Sequence, residues 1–183
     1  GFESTGKFVS RLRSMPPQGR LVDRVVEAMT TNETSWYRDV QPFSALEREV
    51  LPALIRERAA SRYLTIWSAA CSSGQEPYTI AMVLREKFPQ LSSWNVRIIA
   101  SDISADMLGR AAAGRYSQIE VNRGLPAPML VKYFQRDGTD WVVRDDIRGM
   151  VEFRSLNLIK PWGVLPPVDI AFLRNVLIYF DVA

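Results

Sequence analysis

Polar and charged side chains suited to binding a small molecule stand at or soon after the ends of four short apolar segments of the sequence. Glu76 follows the first segment, Asp102 ends the second, Asn157 follows the third, and Arg174 and Asn175 follow the fourth. Ligands of open parallel sheets bind at the carboxyl ends of the strands. If the four segments are neighbouring parallel strands, these side chains meet at one edge of a sheet and form a ligand site.

The types of these side chains indicate a nucleoside that carries no phosphate. Asp102 lies 28 residues beyond Gly74, a spacing at which an acid ending the second strand accepts hydrogen bonds from ribose hydroxyls, although an acid there by chance is common. The turn before Glu76 holds one glycine where the dinucleotide fingerprint has three, and Glu76 would repel a pyrophosphate. S-adenosylmethionine is a ligand of this kind, with a ribose, an amino-acid end and no phosphate.

The composition excludes several kinds of catalytic and metal site. The 183 residues include no histidine and one cysteine, Cys71. This excludes Ser-His-Asp and Cys-His nucleophilic sites, histidine-ligated metals and an intramolecular disulfide, whereas a metal site built from carboxylates alone remains open. A net charge of +3 is too small to require nucleic acid or a membrane as the partner. Because no apolar segment is long enough for a membrane helix and no signal-peptide pattern opens the chain, we expect a cytoplasmic protein.

Alternating strands and helices are the elements that would position the site. The sequence predicts strands at 63–70, 96–102, 151–156 and 168–173. After the first strand, Pro77 stands where the first helical residue should be, and residues 78–88 have the apolar periodicity of a helix. A helix at about 104–113, capped by Ser104, follows the second strand. This order predicts an α/β fold with a parallel sheet. Asp137-Gly138 is a hairpin signal between two strand-like segments, so we expect a small antiparallel insertion at about 130–149.

Residues 1 to about 60 are predicted to be helical. Phe8, Leu12 and Met15 lie on one helix face, Pro16-Pro17 ends that helix, and the apolar pattern resumes over 21–29. A third helix fits 43–60, with a stripe formed by Phe43, Leu46, Val50, Leu54 and Ile55. The first 24 residues carry a basic cluster, which is either a solvated face or a docking surface for an acidic partner; its members are Lys7, Arg11, Arg13, Arg20 and Arg24.

Four motifs of this chain, in order and at the spacing of the family, resemble the CheR family of chemotaxis receptor methyltransferases, and the resemblance extends over nearly the whole chain. They are TNETSWYRD at 31–39, WSAACSSGQEPY at 67–78, ASDI at 100–103 and LRNVLIYFD at 173–181. The resemblance implies a helical N-terminal domain at 1–60, followed at 61–183 by a Rossmann-like, S-adenosylmethionine-dependent methyltransferase domain with a small inserted antiparallel β-subdomain. It also implies methyl esterification of receptor glutamates, with S-adenosylhomocysteine as the product. The implied partner is the cytoplasmic helical domain of a chemoreceptor, without nucleic acid and without membrane insertion.

The same resemblance, carried over by position, implies the residues of the site. Arg38 and Tyr179 are the implied catalytic residues. The implied cofactor contacts are Asn32, Thr34, Arg38, Glu76, Asp102, Asn157, Leu158, Arg174 and Asn175.

Several of these residues also have a simpler interpretation. Glu76 at the start of a helix is favourable to the helix dipole and needs no ligand to explain it. Asn32 and Thr34 could cap a helix, Arg38 could be a surface ion-pair partner, and Tyr179 could pack on the sheet. Other residues have such readings as well: Asn157 and Asn175 as turn residues, Trp36 and Tyr37 as core aromatics, and Cys71 as a small buried apolar side chain.

The sequence departs from the family pattern in two places. Gln75 stands where the family often has a second acid. The chain stops at Ala183, just past the fourth strand, where the methyltransferase fold would continue, so we expect a fragment whose fourth strand is an unpaired edge. Two other functions stay open: a non-catalytic module that binds adenosylmethionine or its product, and a nucleotide-dependent oxidoreductase.

Overall fold

The computed structural model describes residues 4–15, 19–162 and 165–180. Contacts between residues divide the chain into two units, Gly1–Thr31 and Asn32–Ala183. The first unit contains helices α1 (Thr5–Arg13) and α2 (Arg20–Met29), where the apolar spacing predicts two helices. The prediction that Met15 lies on the face of the first helix is wrong, because α1 ends at Arg13. The predicted break at Pro16-Pro17 lies outside the described residues, and the domain boundary at residue 60 stays a prediction.

Four parallel strands in the second unit form the sheet that carries the predicted site. They are β1 (Tyr63–Ala69), β2 (Asn95–Asp102), β6 (Val151–Ser155) and β7 (Ile170–Phe172). The spatial order is β6-β2-β1-β7, and all three pairings are parallel. The chain therefore moves outward in one direction from β1 through β2 to β6 and then returns to the other side of β1. This reversal opens the crevice in which α/β sheets bind ligands.

The helices that follow β1 and β2 set the carboxyl edge of this sheet. Helix α5 (Gln75–Lys87) begins two residues earlier than predicted, so Pro77 lies in its first turn rather than at its start. Gly74 precedes it with φ +94°, and a Cβ at Gly74 would stand 2.9 Å from the Cβ of Ala111. Glycine therefore allows the start of α5 to pack closely on helix α6 (Ala105–Ala113). As predicted, Ser104 caps α6, because its Oγ accepts a hydrogen bond of 3.2 Å from the Met107 amide.

The third predicted helix is present but contains a wide turn. It consists of α3 (Gln41–Ala45), a π-helical turn (Leu46–Val50) and α4 (Leu51–Glu57). The prediction that Val50 belongs to the buried stripe is wrong: Val50 is 38% exposed, whereas Leu51 is fully buried. A π turn holds an extra residue, so the apolar stripe moves on by one position after it.

A second, antiparallel sheet lies between β2 and β6 in the chain. It contains β3 (Arg115–Tyr116), β4 (Phe134–Asp137) and β5 (Asp140–Val143) in the order β3-β5-β4. Gly138, with φ +61°, lies in the two-residue turn between β4 and β5. Short helices flank this sheet: α7 (Gln118–Asn122), α8 (Ala127–Tyr133) and α9 (Asp145–Arg148). The 3-10 turns are Pro89–Ser93 and Leu177–Tyr179.

The largest core cluster joins the parallel sheet, α5 and the antiparallel sheet. Trp36 belongs to it, as the simpler interpretation expects, with its ring edge-on to Tyr116 and Phe134 at centroid distances of 4.9 and 5.3 Å. A smaller cluster on Trp67, Ala69 and Ile99 forms a second buried group of the same sheet. No helix in the part of the chain that the structure describes has both the length and the apolarity needed to cross a membrane.

Candidate functional site

An ion pair between Glu76 and Arg174 occupies the crevice where the strand order reverses. Glu76 lies in the first turn of α5, after β1, and Arg174 follows β7. The Arg174 Nη1 lies 2.9 Å from the Glu76 Oε2, and the two side chains are only 15% and 14% exposed. Two charges that the sequence places 98 residues apart therefore meet at the carboxyl edge of the sheet.

The second oxygen of Glu76 accepts a hydrogen bond from strand β1. The hydroxyl of Ser68, which is buried in β1, donates to the Glu76 Oε1 at 2.7 Å. Burial raises the pKa of Glu76, while the Ser68 hydrogen bond and the positive charges of Arg174 and Arg38 oppose that rise. The site thus holds a largely buried carboxylate with fixed orientation, which suits a cationic ligand group.

Arg174 also ties the segment 32–39 to this edge. Its Nη2 donates to the Arg38 carbonyl at 2.5 Å and lies 3.0 Å from the Asp39 Oδ2. The guanidinium stands 5.4 Å from the centre of the Phe43 ring. The Arg38 side chain itself donates to the Glu33 carbonyl at 2.8 Å. Arg38 is thus bonded to a carbonyl of its own segment, and it forms no ion pair with any other residue of 4–15, 19–162 and 165–180.

Asp102, at the end of β2, is 6% exposed and already accepts two backbone hydrogen bonds. The Ser72 amide donates to its Oδ2 at 2.7 Å and the Ser104 amide to its Oδ1 at 2.9 Å. Each carboxylate oxygen can accept more than one hydrogen bond. The carboxylate therefore fixes the turns after β1 and β2 and can also accept hydroxyl donors of a ligand.

An apolar pocket of about 130 Å³ adjoins Asp102. It is lined by Ala70, Asp102, Ile103, Leu156, Asn157, Leu158, Val176 and Phe180. The structure therefore places two more predicted contacts, Asn157 and Leu158, beside Asp102. The Asn157 Oδ1 accepts from the Ile159 amide at 3.0 Å, so Asn157 is also the turn residue of its simpler interpretation.

Asn32 and Thr34 border a different, polar cleft of about 420 Å³. It is lined by Asn32, Glu33, Thr34, Ser73, Gln75, Arg110, Glu120 and Arg123. Helix α2 ends at Met29 and α3 begins at Gln41, so the interpretation of Asn32 and Thr34 as helix caps is wrong. The Ser72 hydroxyl donates to the Asn32 carbonyl at 2.8 Å, which links this cleft to the turn that Asp102 holds.

The structure does not bring the remaining two predicted residues into these contacts. Asn175 is exposed and has φ +55°, as a turn residue. Tyr179 lies on the 3-10 turn and is 62% exposed, so the interpretation that it packs on the sheet is wrong. No contact described for the Tyr179 hydroxyl joins it to the other predicted site residues.

Sequence reasoning missed three residues that shape the site. The Ser68 hydroxyl donates to Glu76, and Asp39 pairs with Arg174. Ser72 donates to Asp102 through its amide and to the Asn32 carbonyl through its hydroxyl. One available signal is Ser68 itself, the last hydroxyl of a largely apolar strand that also contains Thr65. A second signal exists only in the structure. Five of the six described non-glycine residues with positive φ lie around the site, where strained backbone tends to cluster; they are Tyr37, Asp39, Ala70, Ser72 and Asn175.

The acceptor groups and the apolar pocket fit a nucleoside with a charged amino-acid end. Asp102 can accept from ribose hydroxyls, the apolar pocket beside it suits a flat base, and Glu76 suits an ammonium group. A carboxylate at the start of α5 disfavours phosphate there. The described residues contain no group of three or more His, Cys, Asp or Glu arranged to hold a metal ion.

Comparison with known proteins gives a family and several relatives. Residues 32–183 match the family model described as "CheR methyltransferase, SAM binding domain". The chain is 46% identical over 186 residues to "Chemotaxis protein methyltransferase 1" of Pseudomonas aeruginosa, covering 99% of this chain and 66% of that relative. "Chemotaxis protein methyltransferase Cher2" of Pseudomonas putida is 45% identical with the same coverage. "Chemotaxis protein methyltransferase" of Borreliella burgdorferi is 33% identical over 99% of this chain and 65% of its own length. The chain thus spans just under two thirds of these relatives.

Proposed function

The chain belongs to the CheR methyltransferase family, and we propose that it serves in the transfer of a methyl group from S-adenosylmethionine to glutamate side chains of chemotaxis receptors, giving glutamate methyl esters. The observation that carries this proposal is the pairing of Glu76 with Arg174 at the strand reversal, with Asp102 at the end of the neighbouring strand. The names of the relatives support chemotaxis receptors as the substrate class.

The proposed cofactor contacts follow the two ends of the ligand. Asp102 accepts from the ribose hydroxyls, with Asn157 and Leu158 beside the base. Glu76 binds the ammonium of the amino-acid end. Asn32, Thr34, Arg38, Arg174 and Asn175 complete the proposed contact set.

The proposed reaction requires little acid–base catalysis from the protein. Adenosylmethionine supplies a methyl group on a positively charged sulfur. A glutamate carboxylate is already ionised near neutral pH, so its oxygen can bond to the methyl carbon as the carbon–sulfur bond breaks, without a general base. The absence of histidine agrees with this chemistry. The protein must instead align the reacting atoms and exclude water.

Arg38 is the residue proposed to orient the substrate carboxylate. A guanidinium can bind a carboxylate through two parallel hydrogen bonds, and the charge of Arg38 already acts on Glu76 at the same edge. Tyr179, 62% exposed on the last 3-10 turn, is the second proposed catalytic residue. Its exposed hydroxyl would contact the substrate rather than the buried ligand groups.

We further propose the domain roles and the partner. The helices of 5–29 belong to a helical N-terminal domain that extends to residue 60. Strands β4 and β5 belong to a β-subdomain inserted at about 130–149, and β3 (Arg115–Tyr116), which precedes those bounds, pairs with β5 as a third strand. Lys7, Arg11, Arg13 and Arg24 are exposed, and this basic face docks on acidic helices of a chemoreceptor in the cytoplasm. Such docking weakens with salt, so receptor affinity that stays constant from low to moderate ionic strength would argue for a merely solvated face.

Two assays on the full-length protein test the function. Calorimetry with S-adenosylhomocysteine measures binding, and transfer of a labelled methyl group to a receptor cytoplasmic fragment measures catalysis. We expect both in the wild type, and loss of both in Glu76→Gln/Asp102→Asn. Arg97→Ala, which removes an ion pair at the opposite end of β2, should retain both. Binding without transfer would favour the alternative function, a non-catalytic module that binds adenosylmethionine or its product.

A further inference from the structure

Segment 32–39 is held in place by a turn that is distant in the sequence. The Trp36 amide donates to the Arg123 carbonyl at 3.0 Å, and the Trp36 indole Nε1 donates to the Glu120 carbonyl at 3.1 Å. We name residues 120–124 the anchor turn. Because the Trp36 ring is 1% exposed and packs against the antiparallel sheet, the segment is fixed there by both backbone and side chain.

Gly124 makes this close approach possible. A Cβ at residue 124 would lie 2.3 Å from the Trp36 carbonyl oxygen, a distance at which the backbone of one segment must move. Its φ of +97° is also one that residues with side chains rarely adopt. A side chain at this position would therefore push the anchor turn and the backbone of Trp36 apart.

The other end of the same segment reaches the Glu76–Arg174 pair. Arg38, two residues beyond Trp36, receives a hydrogen bond from Arg174 through its carbonyl, and Asp39 pairs with the same guanidinium. Any displacement of Trp36 is thus passed to Arg38 through a single intervening residue. Gly124 itself lines neither the polar cleft nor the apolar pocket described above.

We propose that Gly124 is a positioning residue for the site: through Trp36 it sets the position of Arg38 and of the carbonyl that Arg174 binds. The role rests on the proposed function, since it is the alignment of Arg38 with a substrate carboxylate that Gly124 serves. A reacting group displaced by about 1 Å loses on the order of 10²-fold in rate. Gly124→Ala is therefore expected to lower methyl transfer by at least tenfold.

Gly138→Ala is the matched control. Gly138 also has positive φ, at +61°, but an added Cβ meets nothing within 4 Å. Both variants carry backbone strain, and only Gly124→Ala meets the Trp36 backbone. We expect Gly138→Ala to transfer methyl groups at close to the wild-type rate, and an equal loss in both variants would overturn the proposal.

Two further measurements separate positioning from general destabilisation. Hydrogen exchange without cofactor should accelerate at the amides of 32–39 in Gly124→Ala but not in Gly138→Ala. In a double-mutant cycle, Gly124→Ala should add little to the loss caused by Arg38→Ala, because both variants act on methyl transfer through the guanidinium of Arg38. Fully additive losses, or faster exchange with unchanged transfer, would refute the role. If Gly124→Ala does not fold, Trp36→Phe, which removes the bond to the Glu120 carbonyl, should show the same pattern with a smaller loss.

Cofactor binding and methyl transfer by the wild type distinguish a failure of this inference from a failure of the proposed function. A wild type that neither binds S-adenosylhomocysteine nor transfers methyl groups refutes the proposed function before any variant is made. A wild type that does both, with a Gly124→Ala variant as active as Gly138→Ala, refutes only the role of Gly124.

Discussion

Removing the guanidinium of Arg174 should destabilise the folded protein far more than removing an exposed arginine does. Arg174 contacts Glu76, Asp39 and the Arg38 carbonyl, and it is 15% exposed. In Arg174→Ala the Glu76 carboxylate stays buried with the Ser68 hydroxyl as its remaining described partner. Truncating one member of a buried pair costs about 3–5 kcal/mol. The Asp39 contribution is small, because that side chain is 58% exposed.

Arg97→Ala is the matched comparison for this prediction. Arg97 also lies 2.9 Å from a glutamate oxygen, that of Glu152, but the two side chains are 35% and 48% exposed. An exposed pair contributes about 0–1 kcal/mol. We therefore expect urea unfolding, followed by circular dichroism, to give a free energy of unfolding lower by about 3 kcal/mol in Arg174→Ala and by less than about 1 kcal/mol in Arg97→Ala.

The loss should also depend on pH in a defined direction. Because burial raises the pKa of Glu76 in the folded protein, this carboxyl favours the folded state below its ordinary pKa, and that benefit is lost as the pH rises through the raised value. Because the charge of Arg174 lowers the pKa of Glu76, Arg174→Ala raises this pKa further. The folded state then continues to lose stability up to a higher pH. The difference from the wild type should therefore be larger near pH 7 than near pH 4. Equal losses in Arg174→Ala and Arg97→Ala, or a double variant Arg174→Ala/Glu76→Gln no more stable than Arg174→Ala, would refute this account.

Three further predictions concern single residues. Asp102→Ala should weaken S-adenosylhomocysteine binding by about 2–4 kcal/mol, measured by calorimetry, and an unchanged dissociation constant would remove Asp102 from the site. Arg38→Ala should lower methyl transfer by about 10²-fold or more with a smaller change in cofactor affinity, and Arg38→Lys should restore little; if Arg38 instead clamps the cofactor carboxylate, rate and affinity fall together. Cys71, 2% exposed and with its thiol pKa raised by burial, should react with iodoacetamide at pH 8 only after unfolding, and fast alkylation of the folded protein would contradict its burial.

The sequence predicts the parallel sheet well because the pattern is local. Each strand is a short apolar segment, and the polar residue after it stands at the carboxyl end whatever the rest of the chain does. Glu76, Asp102 and Asn157 could therefore be assigned to one edge in advance. The cap at Ser104 and the hairpin at Gly138 are also local, since each is set by residues within three positions.

The parts that could not be predicted depend on contacts between distant residues. The π turn at Leu46–Val50 moves the buried stripe by one position, and the spacing of the apolar residues does not predict this turn. The bonds of Trp36 to the anchor turn join residues 84 or more positions apart. The role of Asp102 in fixing the Ser72 and Ser104 amides likewise follows from the bend of two loops.

The pairing of β1 with β7 has a consequence for folding. The Thr65 amide donates to Asp169 across 104 positions of sequence, and Glu76 meets Arg174 across 98. Contacts of such sequence separation close large loops and form slowly. During synthesis β1 and β2 can pair before residue 174 has left the ribosome, so a nascent chain holds Glu76 at the sheet edge without its counter-ion. The proposed cofactor site is therefore completed late, and an intermediate that lacks β7 also lacks Arg174 and the side of the apolar pocket formed by Val176 and Phe180.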